Sequence, residues 1–386
     1  SPQVDMSKTI TPTDTMNYYL GQLHAGFVSL NPANGQITTW VGGRHFTYFP
    51  YDHVDYSAKR QVGSVFKPLV YATALEQGIS PCTYYKAEQV AYEVEEGEWK
   101  PANSGSEYEG KYTMEGALES SINTISVKIL ADVGIDNTIA LANDLGITST
   151  LPEVPSIALG TASISLLEMV TAYCTLTNGV YTINPYKIVS IKTSEGEVLF
   201  EHKEPARKRV IDTQTSDIMV YLLKNVVNDG TARSIRTTYQ LNNDIGGKTG
   251  TTQGNADGWF IATTPKLVSG AWVGGTYPSI SFRETRLGQG ATMALPIYAG
   301  FQQALNKEAA FRTISRARYG GLSADAAKRV DCDPFKEEFE FFNWLFGNKK
   351  QKEATVDNAA SSSAPKEDKK FFKKIGSLFK KKKKDE

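Results

Sequence analysis

The chain has 386 residues, of which 42 are basic and 42 are acidic, so its formal net charge is zero. This balance argues against a nucleic-acid-binding protein, and the length fits one large domain with appendages or two domains. Ten of the basic residues but only four of the acidic ones lie in residues 366–386, so a strongly basic tail follows a mildly acidic body.

Cysteine spacing and hydropathy argue against a metal-binding protein, a disulfide-rich protein and a membrane-spanning segment. Cys82, Cys174 and Cys332 are far apart and form no CxxC pair, and the chain has only four histidines. This spacing predicts neither a metal site nor a disulfide framework. No apolar run approaches the roughly 18 residues that a membrane-spanning helix needs. The first residues lack the features of a secretory signal, and we expect the chain to be part of a longer protein.

The first predicted elements are two strands and a helix. Residues 26–30 and 36–41 alternate apolar and polar side chains around the turn residues NPANG, which predicts a β-hairpin. The segment SVFKPLVYATALEQG is typical of a helix, because Pro68 is tolerated in a first turn and Gly78 favours a helix end. Ser64 is therefore expected at the helix start.

Helices and then strands follow. Helical spacing recurs between about residues 113 and 180, in TMEGALESS, NTISVKILADVG, NTIALANDLG and SLLEMVTAYCTLTNG. Short strands are predicted within residues 183–202, followed by the helix TSDIMVYLLKNVVNDG. The strands DIGGKTGTT, ADGWFIATTP and KLVSGAWVGG suit an antiparallel meander, and the helix LPIYAGFQQALNK comes after them. This order predicts an α+β fold, an antiparallel sheet flanked by helices on both faces.

The C-terminal part has a weaker pattern. The aromatic residues of PFKEEFEFFNWLFG are expected to pack in a core, with a partner-docking helix as the alternative. Residues 349–370 are predicted to be a disordered linker. In the tail, apolar residues fall at helical spacing between lysines: Phe371, Phe372, Ile375, Leu378 and Phe379. The tail is either solvated and disordered or a segment that lies on an anionic membrane surface.

The motif Ser64-x-x-Lys67 is the first candidate for chemistry. Residues three apart share a helix face, so we expect Lys67 within hydrogen-bond reach of the Ser64 hydroxyl. Lysine can remove the proton of a serine nucleophile only if burial or a second cation lowers the lysine pKa. The alternative is a helix N-cap followed by a solvated lysine. The same pattern recurs at Ser363 and Ser377, so the motif is weak by itself.

The motif Ser121-Ile-Asn123 lies at a predicted break between two helices. If that break is extended, Ser121 and Asn123 face the same way. The alternative is that these two residues cap the helix that follows.

The motif KTGTT, residues 248–252, ends a predicted strand. Lys248 and Gly250 then lie on one face, and Thr249 and Thr251 lie on the other. We expect Gly250 to leave room for a ligand, and the alternative is a strand that simply ends in a turn.

The three motifs together are specific, since SxxK, SxN and KTG occur in this order in β-lactamases and penicillin-binding proteins. Over roughly residues 24–305 the chain resembles the transpeptidase domain of class A penicillin-binding proteins. The resemblance lies in GFVSLNPANGQITTWVGG, KRQVGSVFKPLVYATALEQG, PSIALGTASISLLEMVTAYCTLTNG, GGKTGTTQGNADGWFIATTPKLVSGAWVG and GQGATMALPIYAGF. Val62 stands where the family often has proline, which puts no residue role in doubt.

That family has a membrane anchor and a glycosyltransferase domain upstream of the transpeptidase. The resemblance therefore implies that residues 1–23 are the remnant of a linker. Residues 306–348 are expected to form a C-terminal extension, and residues 349–386 are expected to form the linker and basic tail.

The resemblance implies a peptidoglycan D,D-transpeptidase. Ser64 would attack the penultimate D-alanine of a stem peptide and expel the terminal D-alanine, with Lys67 as the base. The charge of Lys248 would favour the neutral form of Lys67. Ser121 would pass a proton to the departing amine, and Asn123 would bind the acyl side of the substrate.

The same resemblance assigns the remaining roles. The backbone N–H groups of Ser64 and Thr251 would form the oxyanion hole. Lys248, Thr249 and Thr251 would hold the terminal carboxylate, and Gly250 completes the substrate-binding strand. No cofactor and no metal are implied.

The implied partners are stem peptides with D-Ala-D-Ala ends, acceptor amines of neighbouring stem peptides, and β-lactams that acylate the same serine. Other cell-wall synthesis proteins are further candidate partners, and nucleic acid is not one. The implied location is the extracytoplasmic, periplasmic side of the bacterial cell membrane.

Three alternatives stay open from the residues. A D,D-carboxypeptidase would use every residue named above. A serine β-lactamase needs a carboxylate for deacylation, and the candidate, Glu153, lacks the Leu-Asn pattern expected after it and fits a surface loop. A non-catalytic β-lactam sensor or binding scaffold is disfavoured, because the nucleophile and base positions are intact.

Overall fold

The fold is seen in a computed structural model that describes residues 11–94, 97–178 and 181–332. The strands, in chain order, are β1 (Leu23–Leu30), β2 (Ile37–Val41), β3 (Lys59–Gln61), β4 (Tyr85–Lys86), β5 (Tyr92–Val94), β6 (Gly97–Trp99), β7 (Lys111–Tyr112), β8 (Ser163–Ser165), β9 (Ser190–Lys192), β10 (Val198–Glu201), β11 (Gly246–Thr251), β12 (Asp257–Thr263) and β13 (Val268–Gly275).

The helices are, in chain order, α1 (Pro12–Leu20), α2 (Lys67–Glu76), α3 (Met114–Glu119), α4 (Asn123–Val133), α5 (Ile135–Asp144), α6 (Leu166–Thr177), α7 (Thr213–Asn228), α8 (Ser234–Thr237), α9 (Thr285–Gly288), α10 (Gly290–Met293), α11 (Leu295–Lys307), α12 (Arg312–Ser315) and α13 (Ala324–Val330). Short 3-10 helices cover Gly63–Phe66, Pro155–Leu159 and Ala309–Phe311.

A five-stranded antiparallel sheet forms the centre, in the order β11-β12-β13-β1-β2. The predicted hairpin of β1 and β2 and the predicted meander from β11 to β13 are both confirmed. The two hairpins join through β1, which pairs with β13 from Leu23 opposite Gly275 to Leu30 opposite Val268. Strand β11 is therefore an edge of the sheet, and its outer backbone groups do not bond to another strand of that sheet.

Helices cover both faces of this sheet, as predicted. On one face the chain packs α6, since a methyl group at Gly270 of β13 would meet Val170 and Leu166. On the other face lies α11, whose Phe301 and Tyr298 rings contact Phe27 of β1 and Phe260 of β12. The period-two alternation of the strands thus supplies two buried faces and produces an α+β fold of layers.

Local sequence signals explain where the main helices begin. Pro68 occupies the first turn of α2, where its missing N–H costs no intrahelical hydrogen bond. Ser165 caps α6 in a capping box with Glu168. Gly78, with a φ of 83°, follows the end of α2 in the left-handed region that glycine adopts without a steric penalty.

The cysteine spacing did not indicate a disulfide framework, but the described residues contain one disulfide. Cys82 and Cys332 are bonded, with their Cα atoms 5.2 Å apart and a sequence separation of 250. Cys174 is a free, buried cysteine of α6. The sequence spacing contained no signal for the pair, because the fold alone brings two distant segments together.

Residues 306–332 belong to the same compact unit as the sheet and its helices. The backbone N–H of Tyr319 donates to Asp244 Oδ2 at 2.9 Å, and the Tyr319 hydroxyl bonds with Thr263 of β12. Ala326 of α13 is fully buried. The first part of the predicted C-terminal extension therefore packs on the body, whereas PFKEEFEFFNWLFG, the linker and the basic tail lie outside the described residues.

Over the described ranges, no helix is long and apolar enough to cross a lipid bilayer.

Candidate active site

Ser64 lies in the short 3-10 helix Gly63–Phe66, which leads directly into α2. Gly63 has a φ of 57°, and its N–H donates to the carbonyl of Gly160 at 2.9 Å. The N–H of Ser64 lies in a first helical turn and therefore has no acceptor within the helix. Lys67 begins α2 one turn later and is fully buried. The predicted placement of the SxxK motif at a helix start is confirmed.

Ser121 occupies the break between α3 and α4, as predicted, and it has a φ of 56° in the left-handed region. Asn123 is the first residue of α4. The alternative that these residues cap α4 is wrong, because the cap residue is Ile122 and no side chain caps this helix end. The Asn123 amide instead donates to the carbonyl of Ala102 at 2.7 Å, which fixes its oxygen toward Lys67.

Two buried lysines converge on Ser121. The Lys67 ammonium donates to the Ser121 carbonyl at 2.7 Å, to Asn123 Oδ1 at 2.7 Å and to Ser121 Oγ at 3.3 Å. Lys248 of β11 donates to the same Ser121 Oγ at 2.9 Å and to the Thr249 carbonyl at 3.0 Å. Both lysines are completely inaccessible to solvent. The three motifs are thus joined in one hydrogen-bonded cluster around a single hydroxyl.

Burial lowers the pKa of both lysines. The pKa of Lys67 is held well below its usual range, first by burial and then by the positive charge of Lys248. Burial lowers the pKa of Lys248 to about 7. A carboxylate partner would oppose this shift, but the hydrogen-bond acceptors of both lysines are neutral. Lys67 is therefore suited to act as a neutral base.

The acceptors around Lys67 indicate how a neutral amine would be oriented. The Ser121 carbonyl and Asn123 Oδ1 have no hydrogen to donate, so both must accept one from Lys67. A neutral amine has two hydrogens, and these two bonds use both. Its lone pair is then available to a hydroxyl group, which is the requirement for a base that takes a proton from serine.

The expected hydrogen bond between Ser64 and Lys67 does not form in this state. Among the hydrogen bonds of the described residues, none joins Ser64 Oγ to Lys67 Nζ, because the lysine is bonded to Ser121 and Asn123. Such bonds often tighten only when substrate is bound.

The KTGTT motif ends β11, and its backbone N–H groups point alternately toward β12 and away from it. The Thr252 N–H donates inward to the Asp257 carbonyl at 3.2 Å. In an antiparallel pair, neighbouring residues point their N–H groups to opposite sides. The N–H of Thr251 therefore points away from β12, off the free edge of the sheet.

The position of Gly250 has a different explanation from the one expected. A methyl group there would lie 2.8 Å from the Val62 carbonyl and 3.0 Å from Val65 Cγ1. Gly250 thus allows β11 to pack closely on the segment that carries Ser64. Space for a ligand is not what requires the glycine.

A cavity of about 790 Å³ adjoins these motifs. Its walls include Ser64, Ser121, Asn123, Thr249 and Thr251. The structure therefore brings the candidate residues of all three motifs to one cavity or, for the two lysines, to the hydrogen bonds directly behind its wall.

The carboxylate considered for β-lactam hydrolysis lies elsewhere. Glu153 is exposed and does not line the cavity. Within the described ranges, the carboxylate on the cavity wall is that of Glu107, on the loop between β6 and β7.

Sequence reasoning missed two supporting residues. The Thr231 hydroxyl is 2.8 Å from the hydroxyl of Thr249, so it orients a threonine of the KTGTT motif. Ala102, through its carbonyl, orients Asn123. Neither belongs to a recognisable motif: Thr231 follows α7 in a polar turn, and a carbonyl acceptor has no sequence signal.

Comparisons with known proteins agree with this geometry. A model of the family "Penicillin binding protein transpeptidase domain" matches residues 25–273. Penicillin-binding protein 2D of Bacillus subtilis is 35% identical over 272 residues, which cover 68% of this chain and 39% of that protein. Penicillin-binding protein 1A of Pseudomonas aeruginosa is 30% identical over 332 residues, which cover 72% of this chain and 40% of the relative. The chain thus spans about two fifths of the length of these curated relatives.

Solved structures show the same fold. Penicillin-binding protein 1A from Haemophilus influenzae superimposes with a TM-score of 0.68 at 26% identity, covering 74% of this chain and 48% of that one. PonA1 from Mycobacterium tuberculosis superimposes with a TM-score of 0.66 at 21% identity, covering 81% of this chain and 87% of that one.

Proposed function

The chain belongs to the penicillin-binding protein transpeptidase family, and from this premise we propose that it is a serine D,D-transpeptidase that cross-links peptidoglycan stem peptides. One observation carries the proposal: two fully buried lysines share the hydroxyl of Ser121 beside Ser64. Burial of two cations without a carboxylate is costly for a fold, and it is understandable where a neutral lysine is needed as a base. The curated relatives are named penicillin-binding proteins. The activity proposed for this chain rests on the geometry of its site.

In the proposed first step, Ser64 Oγ attacks the carbonyl carbon of the penultimate D-alanine. Lys67 takes the hydroxyl proton as the C–O bond forms. The Ser121 carbonyl and Asn123 Oδ1 hold the two hydrogens of the neutral amine, so its lone pair remains for the transferred proton. Asn123 thereby orients Lys67, in addition to its expected contact with the acyl part of the substrate.

The developing oxyanion needs donors that are already in place. The N–H of Ser64 is unpaired within its 3-10 helix, and the N–H of Thr251 points off the free edge of β11. Gly63 and Thr251 approach so closely that a methyl group on Gly63 would lie 2.6 Å from the Thr251 carbonyl oxygen. We propose that these two N–H groups form the oxyanion hole.

The terminal carboxylate of the donor peptide is proposed to bind at the KTGTT strand. Thr249 and Thr251 line the cavity, and the ammonium of Lys248 donates to the Thr249 carbonyl. Thr231 holds the Thr249 hydroxyl in place. A carboxylate that approaches this wall gains two hydroxyl donors and the field of one buried cation.

Collapse of the tetrahedral intermediate requires a proton for the departing amine. Ser121 Oγ lies within hydrogen-bond distance of both lysines, so a proton taken up by Lys67 can pass through it to the amine of the leaving D-alanine. An acceptor amine from a second stem peptide then attacks the acyl group and reverses this sequence of proton transfers. The product is a peptide cross-link and a free Ser64.

β-Lactams present a similar carbonyl and carboxylate, and we propose that they acylate Ser64. Since Glu153 is exposed and does not line the cavity, the proposal includes slow deacylation rather than β-lactamase turnover. The proposed location is extracytoplasmic, where stem peptides and β-lactams are both encountered. Membrane contact by the basic tail and contact with other cell-wall synthesis proteins belong to the same proposal.

The proposal is tested by incubation with a fluorescent penicillin followed by intact mass, for wild type and Ser64→Ala. We expect one stable adduct on wild type and none on the variant. An unmodified wild type contradicts the proposal, and an adduct that disappears within minutes indicates a β-lactamase. Donor and acceptor stem peptides then separate the remaining alternatives, since D-alanine release without a cross-linked product identifies a carboxypeptidase.

A further inference from the structure

A buried ion pair lies next to the Ser64 segment and has no part in the mechanism above. Arg60 of β3 is four residues before Ser64, and its Nε lies 2.7 Å from Oδ1 of Asp257, the first residue of β12. The exposed fractions of the two side chains are 14% and 2%. Desolvation of both charges opposes the formation of an ion pair as buried as this one, and removal of one partner leaves the other charge buried and uncompensated.

Asp257 is connected in turn to the end of the KTGTT motif. Its carbonyl accepts the Thr252 N–H at 3.2 Å, and its own N–H donates to Thr252 Oγ1 at 2.9 Å. Asp257 Oδ1 also accepts the indole N–H of Trp272 at 3.0 Å, and the Arg60 guanidinium lies over the same indole ring at 5.2 Å. The carboxylate is therefore fixed on β12 and β13 before it meets Arg60.

A second bond links the same two segments. Trp259 of β12 donates its indole N–H to the carbonyl of Gln61 at 2.8 Å. Between these links, the backbones of Gly63 and Thr251 are in direct contact, with no room for a methyl group. The chain around Ser64 is thus attached to the sheet through two side-chain links and packs against it closely at Gly63 and Gly250.

We infer that Arg60 is a positioning residue that sets the distance between the two proposed oxyanion donors, the N–H groups of Ser64 and Thr251. The ion pair with Asp257 joins the strand before one donor to the turn after the other. Without it, the side-chain link between the Ser64 segment and β12 is the bond from Trp259 to the Gln61 carbonyl, beside the backbone packing at Gly63 and Gly250. Arg60 does not touch the cavity, so it acts through this spacing. The inference rests on the proposed function.

The expected effect is on the chemical step. Displacement of one donor by a fraction of an ångström weakens stabilisation of the transition state more than it weakens binding of the ground state. We expect Arg60→Gln to lower the acylation rate constant for penicillin by about 10- to 100-fold. The dissociation constant of the initial complex should change little, since the Thr249 and Thr251 hydroxyls remain.

The conservative variant Arg60→Lys separates the effect of the positive charge from the effect of the guanidinium shape. Arg60 reaches Asp257 through Nε, and a lysine side chain is long enough to place its ammonium near that position. Arg60→Lys should therefore retain acylation within about fivefold of wild type, although lysine lacks the planar guanidinium. Asp257→Asn should lose acylation as Arg60→Gln does, because it removes the charge while it keeps the size.

Another ion pair serves as the matched control. Lys224 of α7 is 2.7 Å from Asp244, with exposed fractions of 33% and 15%, and it lies outside the cavity wall. Lys224→Gln is expected to lower the melting temperature while the acylation rate constant of the folded protein stays near the wild-type value.

The experiment measures acylation rate constants and dissociation constants by stopped flow with a fluorescent penicillin, together with melting temperatures. Slow Arg60→Gln with near-normal Arg60→Lys and Lys224→Gln supports the inference. A folded Arg60→Gln that acylates at the wild-type rate overturns it, and so does equal slowing of Arg60→Gln and Lys224→Gln. If Arg60→Gln does not fold, Asp257→Asn is judged by the same two criteria. Failure of wild type to be acylated would instead overturn the proposed function.

Discussion

Ser121 is the residue on which the arrangement of the site depends. Its hydroxyl lies 2.9 Å from one buried ammonium and 3.3 Å from another, and its carbonyl accepts from Lys67 at 2.7 Å. The left-handed φ of 56° at this position turns both oxygens toward the lysines, which a helical residue would not do. One small residue therefore connects Lys67, the proposed base, with Lys248, the lysine proposed to attract the substrate carboxylate.

Replacement of this hydroxyl tests its role. We predict that Ser121→Ala lowers the acylation rate constant by about 100-fold, because removal of the relay leaves the leaving amine without a proton donor. Ser120→Ala is the matched control, since Ser120 also lines the cavity but is not among the hydrogen-bond partners of Lys67 or Lys248. Acylation kinetics with penicillin measure both, and an equal loss in the two variants would contradict the role.

Because the pKa of each lysine lies below its usual range, we predict that the acylation rate constant has a bell-shaped dependence on pH. Lys67 must be neutral to act as a base, so acylation rises with pH as Lys67 loses its proton. Lys248 must be charged to attract the carboxylate, and its pKa of about 7 means that this charge is lost as pH rises above that value. The second-order acylation rate constant should therefore fall on the alkaline side of about 7.

An arginine at position 248, which keeps its charge at all pH values used, tests this explanation of the alkaline fall. In Lys248→Arg, the guanidinium stays charged throughout, so the alkaline fall should disappear even if the maximal rate is reduced. The measurement is the rate constant at low penicillin concentration across pH. A wild-type rate that continues to rise well above neutral pH would contradict the assignment.

At the start of helix α6, a buried carboxylate has all of its polar atoms hydrogen-bonded. Glu168 is fully buried, and its carboxylate accepts the backbone N–H and the hydroxyl of Thr148, Ser149 and Ser165. Burial by itself would raise the pKa of Glu168, but these bonds outweigh it and the pKa is lowered. The carboxylate ties the loop after α5 to a helix that packs on the central sheet.

Glu168→Gln should destabilise the fold by about 2–4 kcal/mol, because an amide NH₂ would then face donors instead of accepting from them. Since the folded pKa is lowered, the wild-type contribution is present above pH 4.5 and lost as pH falls through the folded pKa. In Glu168→Gln, the free energy of unfolding should therefore lack the part of its decrease at low pH that comes from Glu168. Urea unfolding at several pH values measures it, with exposed Glu197→Gln expected within about 0.5 kcal/mol of wild type.

At the scale of the whole molecule, the Cys82–Cys332 bond joins the segment after α2 to the end of the described chain. A bond that closes a loop of 250 residues restricts the unfolded chain strongly. Such bonds typically contribute about 2–4 kcal/mol.

Two measurements test this bond. Alkylation of the denatured, unreduced protein should modify one cysteine, Cys174, and alkylation after reduction should modify all three. Cys82→Ser and Cys332→Ser should each lower stability by about 2–4 kcal/mol. The double variant should lose no more than either single one, because each single change already opens the loop. Additive losses would contradict a bond between these two residues.

Much of this organisation was predictable from local patterns. The hairpin of β1 and β2, the meander from β11 to β13 and the helices α2 and α11 follow from alternation, helical spacing and the positions of proline and glycine, which act within a few residues. The same locality explains the failures. The cysteine pair was missed because 250 residues separate its members, and the role of Gly250 was misjudged because its neighbours are Val62 and Val65.

The α+β class, the family and the candidates Ser64, Lys67, Ser121 and Lys248 could be inferred from the sequence, because motif order and hydrophobic period are local properties of the chain. Three contacts could be seen only in the folded structure: the two lysines share one hydroxyl, Lys67 bonds to Asn123 in place of Ser64, and Arg60 pairs with Asp257. These are contacts between segments more than 50 residues apart. Their geometry depends on how the helices and the sheet pack, and packing is a property of the whole fold.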